Sequence, residues 1–196
     1  MTVNKTKSTL IDVARQLFAK LGVENTTMND IAVASHKGRR TLYTYFNSKN
    51  EVYEAVLEAE LQKMYLALQN VANRKMPANE KLMLFLYTRF DTIKAVVARN
   101  GTLKADFFRD IWRVQYARKS FDRKEIQMLT KILDDGVAEG IFEMPNTKVT
   151  AEVLHHAFRG LEVPYIRGQI NPQNRAEDSN RENIMHLIFD GIKKKE

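Results

Sequence analysis

Apolar residues recur at helical spacing along almost the whole chain, and this periodicity limits the fold more than any other feature. Leu10, Ala14 and Phe18, for example, lie on one face of a single predicted helix. Gly22 follows them as a typical helix stop. No segment alternates with the period of two that is typical of strands, and no sequence repeat interrupts the pattern. The chain is therefore predicted to be all-α.

Local start and stop signals divide this pattern into separate helices. Asp122 and Glu125 are predicted to cap the start of one helix, because an acidic residue three positions after a cap can bond back to the backbone. Pro164 is predicted to kink or break another helix, since its ring lacks an amide donor and clashes with the preceding turn. The predicted helices start near residues 8, 27, 39, 49, 80, 103, 122, 148 and 179.

The segment 38–51 joins a short basic and aromatic helix to the start of a longer one. Leu42 and Phe46 are four residues apart and can face a core, which leaves the basic and hydroxyl-bearing side chains pointing elsewhere. Ser48 and Glu51 are spaced as a capping box, in which a hydroxyl and a carboxylate each satisfy a backbone donor. One helix is therefore predicted to end here and another to begin.

Two short helices joined by a turn of about four residues indicate a helix-turn-helix, whose second helix enters the DNA major groove. Basic and hydroxyl-bearing side chains on that helix can donate to phosphates and base edges. The alternative for the charged residues is a solvated helix face, and for Thr27 and Tyr43 a plain cap and a packing aromatic. The candidate DNA contacts are Thr27, Lys37, Arg39, Arg40, Thr41, Tyr43, Thr44, Tyr45 and Lys49.

Charge separates the first quarter of the chain from the rest. The net charge is +7, and residues 1–50 hold eight Lys or Arg against three acidic residues, a net charge of +5. This bias predicts a polyanionic partner for the N-terminal part. The absence of cysteine excludes disulfides and thiol nucleophiles. Because no signal peptide or membrane-spanning apolar run is visible, we expect a cytoplasmic protein without a membrane partner.

Several separated motifs of the first 60 residues resemble the DNA-binding domain of TetR-family (tetracycline-repressor-like) transcriptional regulators. They fall in the order and at the spacing of that family: residues 11–18, Gly22, residues 26–27, 30–32 and 41–49. The resemblance implies a homodimer whose last two helices pack into a four-helix bundle. It also implies an effector cavity among the middle helices.

The turn between the two short helices departs from the family pattern. This chain has Ser-His-Lys-Gly-Arg-Arg-Thr over residues 35–41, where the family commonly has Ala-Gly-Val-Ser-Lys-Gly-Thr. His36 stands where glycine often adopts a positive φ, and histidine is among the other residues enriched in that conformation. Arg40 replaces a small residue and either reads a guanine or adds a phosphate contact; both roles stay open.

The resemblance divides the chain into a DNA-binding domain at residues 1–50 and an effector-binding and dimerisation domain at residues 51–196. Aromatic residues of the second domain are most simply core, although two of them lie one turn apart and can line a cavity. The candidate effector-pocket residues are Phe85, Phe108, Trp112, Arg113, Tyr116 and His156. The candidate dimer-interface residues are Val153, Leu154, Ala157, Leu161, Ile184, Leu187 and Ile188.

The neighbouring histidines His155 and His156 raise the question of a metal site. Adjacent helix residues point to different faces, and no carboxylate lies at the i+4 spacing that a ligand pair would use. A structural role or a polar contribution to the pocket is therefore predicted for them, with no metal and no cofactor.

The resemblance predicts a ligand-responsive repressor that a small-molecule effector releases from a palindromic DNA operator. One alternative is a constitutive architectural DNA-binding or interaction protein without an effector. Another is an all-α enzyme, which is disfavoured because the sequence has no nucleophile-base set, phosphate-binding loop or metal-ligand spacing.

Overall fold

The computed structural model of the protein describes residues 2–99, 111–166 and 186–188. These ranges contain no β-strand, so the all-α prediction is confirmed. None of the described helices is both long and apolar enough to cross a membrane. Residues 186–188 are helical. The longer described helices are α1 (Thr2–Leu21), α2 (Met28–Ala34), α3 (Arg39–Tyr45), α4 (Lys49–Ala72), α5 (Ala78–Arg99), α6 (Ile111–Ala138) and α7 (Thr147–Ile166).

The chain divides into two compact units. Unit 1 comprises Met1–Lys63 and Ala95–Lys119, and unit 2 comprises Met64–Lys94 and Ser120–Glu196. The first unit therefore extends beyond residue 50, into α4. The functional boundary at residue 50 stays a prediction.

The helix-turn-helix of unit 1 surrounds an apolar core. Leu10, Phe18 and Leu42 are fully buried, as their helical spacing predicts. The ring of Phe18 meets Tyr53 of α4 edge-on, with the ring centroids 6.1 Å apart. Full burial of one such side chain contributes about 1.5–3 kcal/mol, so this core fixes the orientation of α3. The core cluster consists of Leu10, Ala14, Phe18, Ile31, Ala32, Leu42, Phe46, Val52, Tyr53, Val56 and Leu57.

The turn between α2 and α3 takes the conformation that its sequence predicts. His36 has a φ of 53°, so the histidine adopts the left-handed backbone expected at the glycine position. The amide of Lys37 donates to the carbonyl of Ala32 at 3.0 Å, which closes the end of α2. Gly38 is the N-cap of α3 and provides no side-chain bond.

The starts of α2 and α4 differ in how completely a capping box forms. At α2, the Asp30 amide donates to the Thr27 hydroxyl at 3.1 Å, and the Asp30 carboxylate accepts from the Thr27 amide at 2.8 Å. At α4, the Glu51 amide donates to the Ser48 hydroxyl at 3.2 Å, but the Glu51 carboxylate accepts from the backbone of Asn47 instead of Ser48. The reciprocal box predicted for Ser48 and Glu51 is therefore only half formed.

The helix start predicted at Asp122 is wrong. The helix α6 runs without interruption from Ile111 to Ala138, so Asp122 and Glu125 lie in its interior. Their carboxylates contact side chains of other helices, for example Arg89 of α5 and His155 of α7. Acidic residues at this spacing cap a helix only when their carboxylates turn back to a free backbone amide.

Pro164 does not end α7, because the helix continues to Ile166. Gly140 lies just beyond the end of α6 and has a φ of 71°, the left-handed conformation in which helices commonly end at glycine. The segment 103–110 and the capping pair Ser179 and Glu182 lie outside the described residues.

Candidate nucleic-acid interface and buried polar cluster

The outward face of α3 is basic and aromatic. Arg39, Arg40 and Thr44 are exposed, and Tyr43 has 44% of its surface accessible. On the opposite face, Leu42 is fully buried in the apolar core. The core thus holds one side of this short helix. The guanidinium groups of Arg39 and Arg40, each with five N–H donors, lie on its exposed side.

The remaining candidate contacts differ in how much of them is accessible. Lys37 and Thr27 are exposed, although the Thr27 hydroxyl is engaged with Asp30 in the cap of α2. Thr41 is half-buried, and half-buried Tyr45 packs against the core cluster of unit 1. The aromatic ring of Tyr45 therefore has a packing role in addition to any contact with DNA.

Lys49 ties two parts of unit 1 together. Its Nζ donates to the carbonyl of Val23 at 2.7 Å and to that of Glu24 at 3.2 Å. These carbonyls lie in the connection between α1 and α2, so the ammonium fastens that connection to the start of α4. Because an ammonium has three donors, one remains for another acceptor.

Lys7 is a cation that sequence reasoning did not include. The structure extends α1 back to Thr2, beyond the predicted start at Ser8, which places Lys7 on a helix. Its Nζ lies 5.6 Å from the centroid of the Phe46 ring, at the end of α3. The sequence shows that basic residues precede Ser8. It does not specify the aromatic ring that Lys7 meets, because that ring lies far away along the chain.

Only two of the candidate effector-pocket residues have side chains in the described part of the chain. Phe85 is fully buried in unit 2, whereas His156 is exposed. Phe108 lies outside the described residues, as do the side chains of Trp112, Arg113 and Tyr116.

The predicted interface stripe on α7 divides between two faces. Val153 has 62% of its surface exposed and Ala157 is exposed, whereas Leu154 is buried and Leu161 is half-buried. Val149, which is 54% exposed, extends the outward row at the spacing of one turn. Leu187 is 80% exposed and Ile188 half-buried, and Ile184 lies outside the described residues.

A buried ionic cluster occupies the core of unit 2. Arg89 of α5 is fully buried, and its Nε donates to Glu125 of α6. Its other donors reach the Glu162 carboxylate at 2.6 Å and the Phe158 carbonyl at 3.4 Å, both on α7. Three helices are thereby linked through one guanidinium.

A histidine completes this cluster. His155 is 1% exposed, and its Nδ1 lies 2.8 Å from Oε2 of Glu125. Burial raises the pKa of Glu125, but the bond from His155 and the charge of Arg89 outweigh it, so the pKa lies below its ordinary value. His155 and His156 lie on different faces of α7, as adjacent helix residues should, but the carboxylates that meet His155 come from α6, and spacing within α7 does not indicate them.

A family profile described as bacterial regulatory proteins of the tetR family matches residues 10–56. The match begins inside α1 and ends inside α4, so it spans the helix-turn-helix and its exposed basic face.

Similar proteins are found among bacterial regulators. The uncharacterized HTH-type transcriptional regulator YhgD of Bacillus subtilis is 20% identical over 148 residues, 76% of this chain and 78% of that protein. The HTH-type transcriptional repressor KstR2 of Mycobacterium tuberculosis is 23% identical over 141 residues, 71% of this chain and 70% of that protein. Among solved structures, a transcriptional regulator from Cytophaga hutchinsonii has a TM-score of 0.73 and 25% identity, and the match covers 94% of this chain and 97% of that one.

Proposed function

The chain belongs to the TetR family of bacterial transcriptional regulators, and on that premise we propose that it is a repressor which a small-molecule effector releases from a palindromic operator. It is a regulator and not an enzyme. TetR-family regulators bind DNA as dimers and respond to small-molecule ligands. The operator, the interface and the effector site of this chain are the parts that we propose.

The observation that carries the DNA-binding proposal is the exposed basic face of α3 opposite buried Leu42. Arg39 and Arg40 stand on the first turn of this helix, and Tyr43 and Thr44 follow on its exposed side. In a helix-turn-helix, the residues near the start of the second helix approach base edges while neighbouring cations contact phosphates. We assign base reading to Arg40 and Tyr43 and phosphate contacts to Lys37 and Arg39.

Substitution of Arg40 separates these roles. If Arg40 reads a base, Arg40→Ala lowers discrimination among operator variants by about 1–3 kcal/mol. If it contacts only a phosphate, Arg40→Ala weakens binding to all sequences equally. It also reduces the salt slope, which is the slope of the logarithm of the binding constant against the logarithm of the salt concentration, by about one. Operators are selected from a genomic library and tested by fluorescence anisotropy across a salt titration. Lys20→Ala, an exposed change on α1, is the matched control, and unchanged binding by Arg40→Ala contradicts the proposal.

The outward row of α7 supports a homodimer. Val149, Val153 and Ala157 repeat at one-turn spacing and are exposed, and exposed Leu187 adds a second apolar site. A two-fold interface must be self-complementary, and its symmetry demands a palindromic operator. Val153→Glu and Leu187→Glu should yield monomers in sedimentation and abolish operator binding, because each would bury an unpaired charge. Leu66→Glu changes an exposed leucine of α4 and should leave the dimer intact.

The switch that we propose acts through α4. This helix begins at Lys49, shortly after α3 ends, and its 24 residues extend about 36 Å. A tilt of a few degrees therefore moves its N-terminus by angstroms, which changes the spacing of two recognition helices. The effector would bind beside Phe85, Phe108, Trp112 and Tyr116, with Arg113 or His156 orienting a polar or anionic group.

Trp112 gives a direct report, because it is the only tryptophan of the chain. Small apolar compounds with and without a carboxylate are screened for a change in its fluorescence and for thermal stabilisation. A compound that binds should weaken operator affinity by the same factor by which the operator weakens its own binding. Binding without DNA release would favour constitutive DNA binding. Trp112→Phe together with Phe108→Ala should abolish the thermal stabilisation by the compound and the release of DNA.

A further inference from the structure

Two helices of unit 2 bring a buried imidazole between two carboxylates. His155 of α7 lies 2.8 Å from Glu125 through Nδ1, and its Nε2 lies 3.9 Å from Oδ1 of Asp122. The second separation is too long for a hydrogen bond. The two ring nitrogens therefore have different surroundings.

The surroundings determine which nitrogen is available. Glu125 is ionised, because it accepts from Arg89 at one oxygen and faces His155 with the other. A carboxylate accepts only, so Nδ1 of His155 must donate its proton to it. In neutral His155 the lone pair is then on Nε2, which faces the Asp122 carboxylate. Two electron-pair donors thus face each other across 3.9 Å.

This separation suits two ligands of one cation. With metal–ligand bonds of about 2.0–2.2 Å, two ligands of a tetrahedral ion are about 3.3–3.6 Å apart, so a small side-chain rotation is enough. Glu125 would act as the outer carboxylate that fixes the ring, as is usual for metal-bound histidines. Asp122, Glu125 and His155 each offer a ligand atom within 4.8 Å of the others.

The carboxylate of Asp122 can bind a cation through the oxygen that faces His155. Arg159 lies 3.4 Å from Oδ2 of Asp122, so it approaches the oxygen that does not face His155. The Asp122 side chain is 19% exposed, which gives an ion a route from solvent.

We propose that His155 and Asp122 bind a divalent transition-metal ion such as Zn²⁺ or Co²⁺ in unit 2, with Glu125 holding the His155 ring. Imidazole and carboxylate are the ligands that such ions take in proteins, and water completes the coordination. The metal site is independent of the proposed operator and effector, since it needs only the buried cluster.

The full chain, treated with a chelator and then dialysed, is titrated with Co²⁺ and with Zn²⁺. We expect about one ion per chain and a Co²⁺ visible spectrum typical of nitrogen and oxygen ligands. His155→Gln and Asp122→Asn should each weaken binding at least tenfold, about the loss seen even for outer-sphere partners. His156→Gln, the exposed neighbour, is the matched control and should bind like the wild type.

Circular dichroism of every variant checks that it is folded. Asp122→Asn is the decisive variant, because its side chain is partly exposed and its replacement disturbs the core least. Glu125→Gln should weaken binding about tenfold and shift the Co²⁺ spectrum of the bound ion, which a purely structural role would not do. An equal loss from His156→Gln would assign binding to a surface histidine and overturn the proposal. Absence of binding by both Co²⁺ and Zn²⁺ would overturn the proposal.

Discussion

The interior of the helix-turn-helix and the interior of unit 2 handle charge in opposite ways. The buried side chains around α3 are apolar or aromatic, apart from the uncharged Thr26 and Ser35, and Arg39 and Arg40 stay outside them. Unit 2 encloses the guanidinium of Arg89 together with Glu125 and His155. The region that offers charge to a partner keeps its core apolar, whereas the other uses charge to join its own helices.

This difference has an energetic consequence. An apolar core loses stability in proportion to the surface and volume that a substitution removes. A buried ion pair contributes little by itself, but loss of one partner leaves a desolvated charge and costs more. The two interiors should therefore respond differently to substitutions of similar size.

Loss of Arg89 is expected to have the largest effect. Arg89→Leu leaves Glu125 and Glu162 without their guanidinium, which should lower the free energy of unfolding by about 3–5 kcal/mol in urea denaturation. Arg123→Leu removes an exposed arginine of α6 and is the control, with little expected change. A loss below about 1 kcal/mol for Arg89→Leu would mean that the cluster relaxes or is reached by water, and the comparison would fail.

Truncation of Leu42 tests the apolar interior. Leu42→Ala should lower the free energy of unfolding by about 3 kcal/mol, because it removes a fully buried side chain and leaves a cavity. Tyr43→Ala, on the exposed side of the same helix, should weaken operator binding with little effect on stability. If the two variants lose equal stability, α3 does not have a buried and a free face.

Lys49 is a cation with a structural role at the edge of the helix-turn-helix. Lys49→Ala removes the bonds to the Val23 and Glu24 carbonyls and should cost about 1–2 kcal/mol. Any additional phosphate contact would reduce the salt slope of DNA binding by about one. Stability and salt slope are measured on the same variant, and unchanged stability would mean that solvent replaces the two bonds.

The smallest effect is expected at the cap of α2. Thr27→Ala removes the hydroxyl that accepts from the Asp30 amide and should cost about 1 kcal/mol. The bonds from Thr27 hold the pKa of Asp30 below its ordinary value, so this stabilisation is present above that value and is lost as the pH falls through the folded-state pKa. Acid titration of unfolding should show a weaker pH dependence below about pH 4 in Asp30→Asn. If the stability of Asp30→Asn depends on acidic pH as strongly as that of the wild type, this carboxylate does not have the expected role.

The sequence by itself determined the all-α class, the helix-turn-helix and several of the helix ends. The box of Thr27 and Asp30, the positive φ of His36 and the stop at Gly140 are decided by neighbours within a few residues. Such signals are readable because a backbone amide at a helix end needs a partner close along the chain. The apolar spacing that buried Leu42 is local in the same sense.

Only the tertiary structure decided which buried polar groups meet. Asp122 and Glu125 have the spacing of a cap, yet their partners come from α5 and α7. Lys49 resembles a phosphate contact, yet it donates to carbonyls of the connection before α2. A carboxylate or ammonium takes whichever partner folding brings within about 3 Å, and sequence spacing does not specify that neighbour when it lies on another helix.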